Sequence, residues 1–295
     1  MNKARDSRSA AVFFLVLITA IWGWSFVIVK ESVSLYPVFS FLALRFFLGA
    51  AILSLFIGRS FARFDGKLLA AGVVLGLFLF GGYAFQTTGL LYTTPAHSGF
   101  ITGLFVVFTP LFESFTLKKR PPWIIVGSLL LSTTGLVVLS YEPDLKGMNY
   151  GDFLSLMCAI IYSFHLILID RLSKRYNTLH LAFLQVLTVS LLSFASALVT
   201  GCRLAPIPGT SLNGVLLTAL FATALSYYVQ TTYQKVTSAT EAALIFTLEP
   251  VFAGMFAYFM WGEKFSGRIY AGGAMILTGM LISQARSLMP AKTGG

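Results

Sequence analysis

Apolar residues run along this chain in stretches of some twenty, separated by short polar or charged segments. A helix rises about 1.5 Å per residue, so roughly twenty apolar residues match the ~30 Å hydrocarbon core of a bilayer. The pattern predicts ten helices, at about 11–30, 37–57, 68–91, 95–117, 121–140, 150–171, 178–200, 212–234, 239–261 and 267–285. Residues 142–149 form a turn-rich break with Pro143, Asp144 and Gly147. The break divides the chain into 1–141, with helices one to five, and 150–288, with helices six to ten.

Two of these runs carry charges that are costly in lipid. Glu249 stands in the middle of the ninth, and a carboxylate there costs roughly 2.5–3.5 kcal/mol unless it faces protein or water. Pro250 follows it, has no backbone N–H, and frees the carbonyl of Phe246. Irregular backbone at that depth is tolerated where it lines a cavity or is covered by neighbouring helices. The second run holds Arg45, whose guanidinium is expected to pair with an acid or bind an anionic group.

Composition agrees with the pattern. With 57% apolar and 11% charged residues and a mean hydropathy of +0.81, this is an all-α integral membrane protein. The net charge of +10 would suggest nucleic acid in a soluble chain, but here it follows the positive-inside bias. With the N-terminus in the cytoplasm, fifteen Lys and Arg residues fall on that side, among them Lys3, Arg5, Arg8 and the Lys118-Lys119-Arg120 cluster. The other side receives five: Lys30, Lys146, Arg203, Lys264 and Arg268. The expected placement is the inner or plasma membrane, multi-pass, with both termini cytoplasmic. The first apolar run is too long for a signal-peptide core and is expected to be the first span. Cys158 and Cys202 match neither a disulfide framework nor a metal spacing, and no cofactor motif is present.

The halves echo each other. Tyr83-x-x-Gln86-Thr87-Thr88 recurs as Tyr227-x-x-Gln230-Thr231-Thr232, and Trp24-Ser25-Phe26 parallels Tyr162-Ser163-Phe164. Pro110 parallels Pro250, so Thr109 stands where the second half has Glu249. Five spans per repeat put the second copy upside down in the membrane. Inverted repeats with broken helices at matching positions mark secondary transporters, with the site at mid-depth between the halves.

On these residues the chain resembles the EamA-like family of the drug/metabolite transporter superfamily, over nearly its whole length. The second half carries the more specific pattern: Leu248-Glu249-Pro250-Val251, Trp261-Gly262-Glu263, then Gly272-Gly273-Ala274-Met275 and Gly279. The first half has Trp22-Gly23-x-Ser25-Phe26, Lys30, Pro37, Arg45 and Phe100-Ile101-Thr102-Gly103-Leu104 before Pro110. It departs from the second half at Thr109 and at Lys119-Arg120. The resemblance implies a ten-helix carrier that exports metabolites or amino acids by alternating access through a central cavity. It also implies a structural capping role for Glu263.

The candidate substrate-binding residues are Glu249, Arg45, Trp24, Ser25, Tyr83, Gln86, Tyr162, His165, Tyr227 and Gln230; Thr109, Pro110 and Pro250 are the candidate kink or gating positions. Aromatic rings with a polar tip suit a wall that receives amphipathic substrates. If Arg45 and Glu249 both face the cavity, they suit a zwitterion, with Arg45 on the carboxylate and Glu249 on the amine. If they pair with each other, they form a latch that substrate breaks. His165 is a hydrogen-bonded helix contact or a titrating relay. Gly272 and Gly279 share a face expected to pack within the bundle or between protomers.

These readings point to a secondary transporter of small amphipathic metabolites such as amino acids, moving outward. Protons are the candidate coupling ion, and the oligomer is a monomer or homodimer. Exchange of phosphorylated or nucleotide-linked sugars, which would want several cavity cations, and export of drugs or organic cations are the transport alternatives. A membrane-embedded enzyme is disfavoured. His165-x4-Asp170 has the spacing of an acyltransferase pair, but no P-loop, zinc-protease motif or nucleophile elbow accompanies it.

Overall fold

Every one of the ten predicted runs holds helix, and no strand occurs among the described residues. The computed structural model describes residues 2–58, 64–116, 123–140, 148–235, 242 and 245–288. The Lys118-Lys119-Arg120 cluster, the Pro121-Pro122 pair, most of the mid-chain break and the predicted start of the ninth run lie outside them. The helices are α1 (Asn2–Leu35), α2 (Val38–Ile57), α3 (Gly66–Gly89), α4 (Pro95–Gly103), α5 (Phe105–Thr116), α6 (Trp123–Ser140), α7 (Tyr150–Ser173) and α8 (Thr178–Val199). There follow α9 (Gly209–Leu217), a π-wound stretch (Thr218–Leu225), α10 (Ser226–Tyr233), α11 (Glu249–Trp261) and α12 (Gly267–Leu288).

Among the described residues, seven segments are long and apolar enough to cross a membrane. They are α1 from Ser9, α2, α3, α4 with α5, α7, α8, and α9 through α10. The apolar parts of α6 and α12 are shorter, and α11 has 13 residues. This is a multi-pass membrane protein. Around an apolar core, its surface is apolar as well, and many polar side chains lie inside. Leu55, Leu198, Val199 and Phe259 are largely exposed, while Ser40, Ser98, Gln185, Ser193 and Thr218 are buried. In lipid the apolar face turns outward, and hydroxyls inside the bundle can find partners there, as Thr218 Oγ1 does on Gly214 O and Ser98 Oγ on Ser155 Oγ.

Polar caps set several helix starts. Asp65 accepts from Leu68 N at 2.7 Å, Asn149 from Asp152 N at 2.8 Å, and Asn177 from Leu179 and His180 N. At the bundle end holding the α3–α4 link, Glu263 accepts from Thr94 Oγ1 at 2.6 Å and Ala96 N at 3.3 Å, at the start of α4. The capping role implied by the resemblance is the one this geometry displays. Lys30 Nζ donates to the carbonyls of Leu90 and Thr93 beside it.

Three predicted spans are irregular. The fourth breaks at Leu104, whose N–H reaches Ile101 O at 3.1 Å in a tight turn. The ninth breaks at Thr247–Leu248 with the same turn, Leu248 N to Ile245 O at 3.1 Å. The breaks lie upstream of the prolines singled out as kinks. Pro250 sits in the first turn of α11, where a missing N–H costs little. Pro110 lies inside α5, and Thr109 Oγ1 bonds back to Phe105 O at 2.6 Å. The eighth span is interrupted by the π stretch.

The two broken spans cross each other. A Cβ on Gly99 would lie 2.5 Å from Ala253 Cβ, and one on Gly103 would lie 3.1 Å from Pro250 Cγ. Gly23 of α1 is as tight against Phe252 Cβ, at 2.5 Å. Small residues thus bring α1, α4 and the start of α11 to near backbone contact. Gly279 meets Ser128 and Ser132, and Gly135 meets Gly272 and Met275, so the small-residue face of α12 packs on α6 within the bundle.

The candidate substrate cavity

A cavity of about 510 Å³, its open mouth included, lies between these elements. Each helix contributes residues at one-face spacing: Trp22, Ser25 and Phe26 from α1, Leu79, Tyr83 and Gln86 from α3, Tyr162, His165 and Leu166 from α7. Phe105 begins α5, Tyr227 and Gln230 come from α10, and Phe246 and Glu249 flank the break in the ninth span. The rings form a box. Trp22 lies 5.5 Å from Phe246 and 5.9 Å from Tyr227, and Tyr162 lies 5.9 Å from Tyr83, centroid to centroid.

Eight of the ten residues named from sequence for substrate contact meet on this wall: Glu249, Ser25, Tyr83, Gln86, Tyr162, His165, Tyr227 and Gln230. Trp24 does not. It neighbours Ser25, and one helical step of about 100° turns it off the face, whereas Trp22 is one turn back from Ser25 and lies on it. That spacing was readable in the sequence. Phe105, Phe246 and Leu79 were also missed, because buried apolar residues look alike along a membrane helix.

Arg45 is the second residue placed off the wall. It is 1% exposed and stands behind Tyr83, with its guanidinium carbon 4.8 Å from that ring's centroid. Its Nε donates to Thr223 Oγ1 at 2.9 Å, and its Nη2 to Tyr83 OH at 3.2 Å and Ala222 O at 3.4 Å. Ala222 and Thr223 belong to the π stretch, a helical irregularity that often marks functional sites. Neither direct contact with a cavity ligand nor an ion pair with Glu249 is the arrangement found.

Glu249 is 7% exposed, in the first turn of α11, and its carboxyl has no hydrogen-bond or ion-pair partner among the described residues. Gln230 Oε1 is buried without a partner as well. His165 Nε2 lies 2.8 Å from Gln185 Oε1 of α8, the helix-contact geometry. Tyr227 OH and Tyr83 OH, the tyrosines of the two Tyr-x-x-Gln-Thr-Thr segments, are 2.9 Å apart. Thr109 and Pro110 are off the wall. Among the described residues no group of three or more His, Cys, Asp or Glu could hold a metal.

Comparison with known proteins gives the family. The profile of the EamA-like transporter family matches residues 9–141 and again 149–284. The chain belongs to that family. It is a transporter and not an enzyme, working on a small-molecule substrate in a lipid bilayer. A relative from Archaeoglobus fulgidus, described as an uncharacterized transporter, is 32% identical over 92% of this chain and 85% of its own length. A Salmonella typhimurium relative, described as a probable amino-acid metabolite efflux pump, is 25% identical over 92% and 93%. A crystal structure with a TM-score of 0.69 covers 96% of this chain and 99% of its own at 21% identity, which speaks to the fold alone.

Proposed function

We propose that this EamA-like transporter exports small amphipathic metabolites bearing an amine, amino acids among them, by alternating access at the cavity around Glu249. The reading takes 1–141 and 150–288 as two inverted five-helix repeats, ten crossings in all, with both termini in the cytoplasm and the inner or plasma membrane as the location. The observation that carries it is the unpartnered Glu249 carboxyl, nine-tenths buried and on an aromatic wall where two broken spans cross. A buried acid without a partner is costly, so a ligand that supplies one is bound. An ammonium group meets the carboxylate, and the rings take its apolar body and add cation–π attraction. The Salmonella relative, described as a probable amino-acid metabolite efflux pump, supports the same class.

In this mechanism the halves rock so that the cavity opens to each side in turn. Glu249 either neutralises the substrate's charge or takes a proton as the substrate leaves, which couples flux to a proton gradient. Exchange of phosphorylated sugars loses support, because no Lys or Arg lies among the described cavity-lining residues. The same fact favours one second reading, export of organic cations. Flux into proteoliposomes, comparing amino acids, nucleosides and cationic drugs with and without a pH gradient, tests the proposal. Saturable amino-acid flux is the expected result; saturable flux of drug cations alone selects the second reading, and non-saturable leakage rejects both.

A further inference from the structure

A site that holds an amino acid by its amine still needs a group for the carboxylate. The guanidinium suited to that role is behind the wall, but it is not disconnected from the cavity. Guanidinium nitrogens only donate, so the Arg45 Nη2 bond is received by the Tyr83 oxygen. Tyr83 and Tyr227 have two hydroxyl protons between them. The bond joining them, drawn with Tyr227 donating, uses one proton whichever ring supplies it. The other has no acceptor among the described residues. Both rings line the cavity and both are at least nine-tenths buried.

Resting on the carrier reading above, we propose that this unspent phenolic O–H recognises the substrate carboxylate, with Arg45 as the positioning residue behind it. A phenol that already accepts a bond from a cation is polarised, and donates its own proton more strongly. Arg45 is itself fixed, by Thr223 and Ala222 of the π stretch and by its stack on the Tyr83 ring. The cavity then has two poles: the phenol pair as donor and Glu249 as acceptor. This bipolar wall, whose described lining residues include no Lys or Arg, fits a zwitterion better than a plain amine.

The bonding pattern predicts an order among variants that simple packing would not. Tyr227→Phe leaves Tyr83 bonded to Arg45 with its proton free. Tyr83→Phe leaves the Tyr227 proton free but cut off from Arg45. The double variant removes both hydroxyls while keeping both rings, so folding is preserved and is checked by gel filtration and circular dichroism.

The experiment is uptake of L-phenylalanine, L-leucine and L-methionine in proteoliposomes, each measured against the amine that lacks its carboxyl group. The wild type prefers the amino acid by about ten-fold or more, as a hydrogen bond to a charged group implies. That ratio changes little in Tyr227→Phe, falls several-fold in Tyr83→Phe and reaches about one in the double variant. Arg45→Gln lowers it and Arg45→Lys restores part of it, whereas Glu249→Gln weakens acid and amine alike and leaves it unchanged. A ratio unaffected in the double variant, or a wild type that prefers amines, overturns the carboxylate assignment alone. Absence of saturable uptake for every compound overturns it together with the amino-acid carrier reading.

Discussion

Trp22 and Ala222 are joined by a 3.2 Å bond from the indole N–H to the carbonyl, linking α1 to the π stretch of the eighth span. The same carbonyl receives Arg45 Nη2 at 3.4 Å. One irregular turn therefore anchors a ring of the cavity wall and the cation behind it. Trp22→Phe keeps an aromatic ring and deletes the donor. Loss of one such bond is expected to cost about 1 kcal/mol, read as a lower unfolding midpoint in detergent. An unchanged midpoint would show the bond contributes nothing net.

Glu249→Gln keeps the shape of the side chain and removes its charge. Transport is expected to fall at least ten-fold, about 1.4 kcal/mol or more in transition-state terms, with an unaltered elution profile. Its pH dependence should flatten, since the carboxyl that the proposed mechanism protonates is gone. Full flux with the wild-type pH profile would remove this carboxyl from the mechanism.

Gly82 packs under the Tyr162 ring, and a Cβ there would collide with the ring edge. Gly82→Ala is expected to push Tyr162 into the cavity, costing about 1–3 kcal/mol in overpacking and reducing flux. Shortening the ring in the combined Gly82→Ala, Tyr162→Leu chain should recover the stability. Additive losses in that double variant would place the strain elsewhere.

Asp152, at the start of α7, is fully buried; its Oδ1 receives the Thr93 hydroxyl and lies 3.7 Å from His97 Nδ1. Asp152→Ala leaves a buried hydroxyl without its acceptor at the junction of α4 and α7. A destabilisation of about 1–3 kcal/mol is expected, seen in the thermal midpoint, with Asn in its place less harmful. Equal losses for Ala and Asn would mean that charge rather than hydrogen bonding matters there.

Some of the cavity was legible and some was not, for identifiable reasons. Glu249 was conspicuous because charge in a membrane helix is costly wherever the chain folds. The tyrosines and glutamines stood out because they recur in both halves. Trp22 is legible through its three-residue spacing from Ser25, and Gly99-x-x-x-Gly103 through its small residues. Arg45 was different in kind. A guanidinium at that depth requires acceptors, and the sequence leaves open an anionic group in the cavity or Glu249. Its actual acceptors are the Tyr83 hydroxyl together with a hydroxyl and a carbonyl of the π stretch, 178 and 177 residues on.

Hydropathy, charge asymmetry and repeated motifs, all local or additive along the chain, were enough to establish a helical membrane protein of the transporter type and most of the residues around its cavity. Only the folded chain decided which ring faces inward, where the fourth and ninth spans break, and that Arg45 stands one side chain back from the wall. Those outcomes depend on pairwise contacts between distant segments and on helix rotation, where a single residue step turns a side chain by about 100°. Periodicity in one sequence constrains the rotation of each helix loosely when every face is apolar.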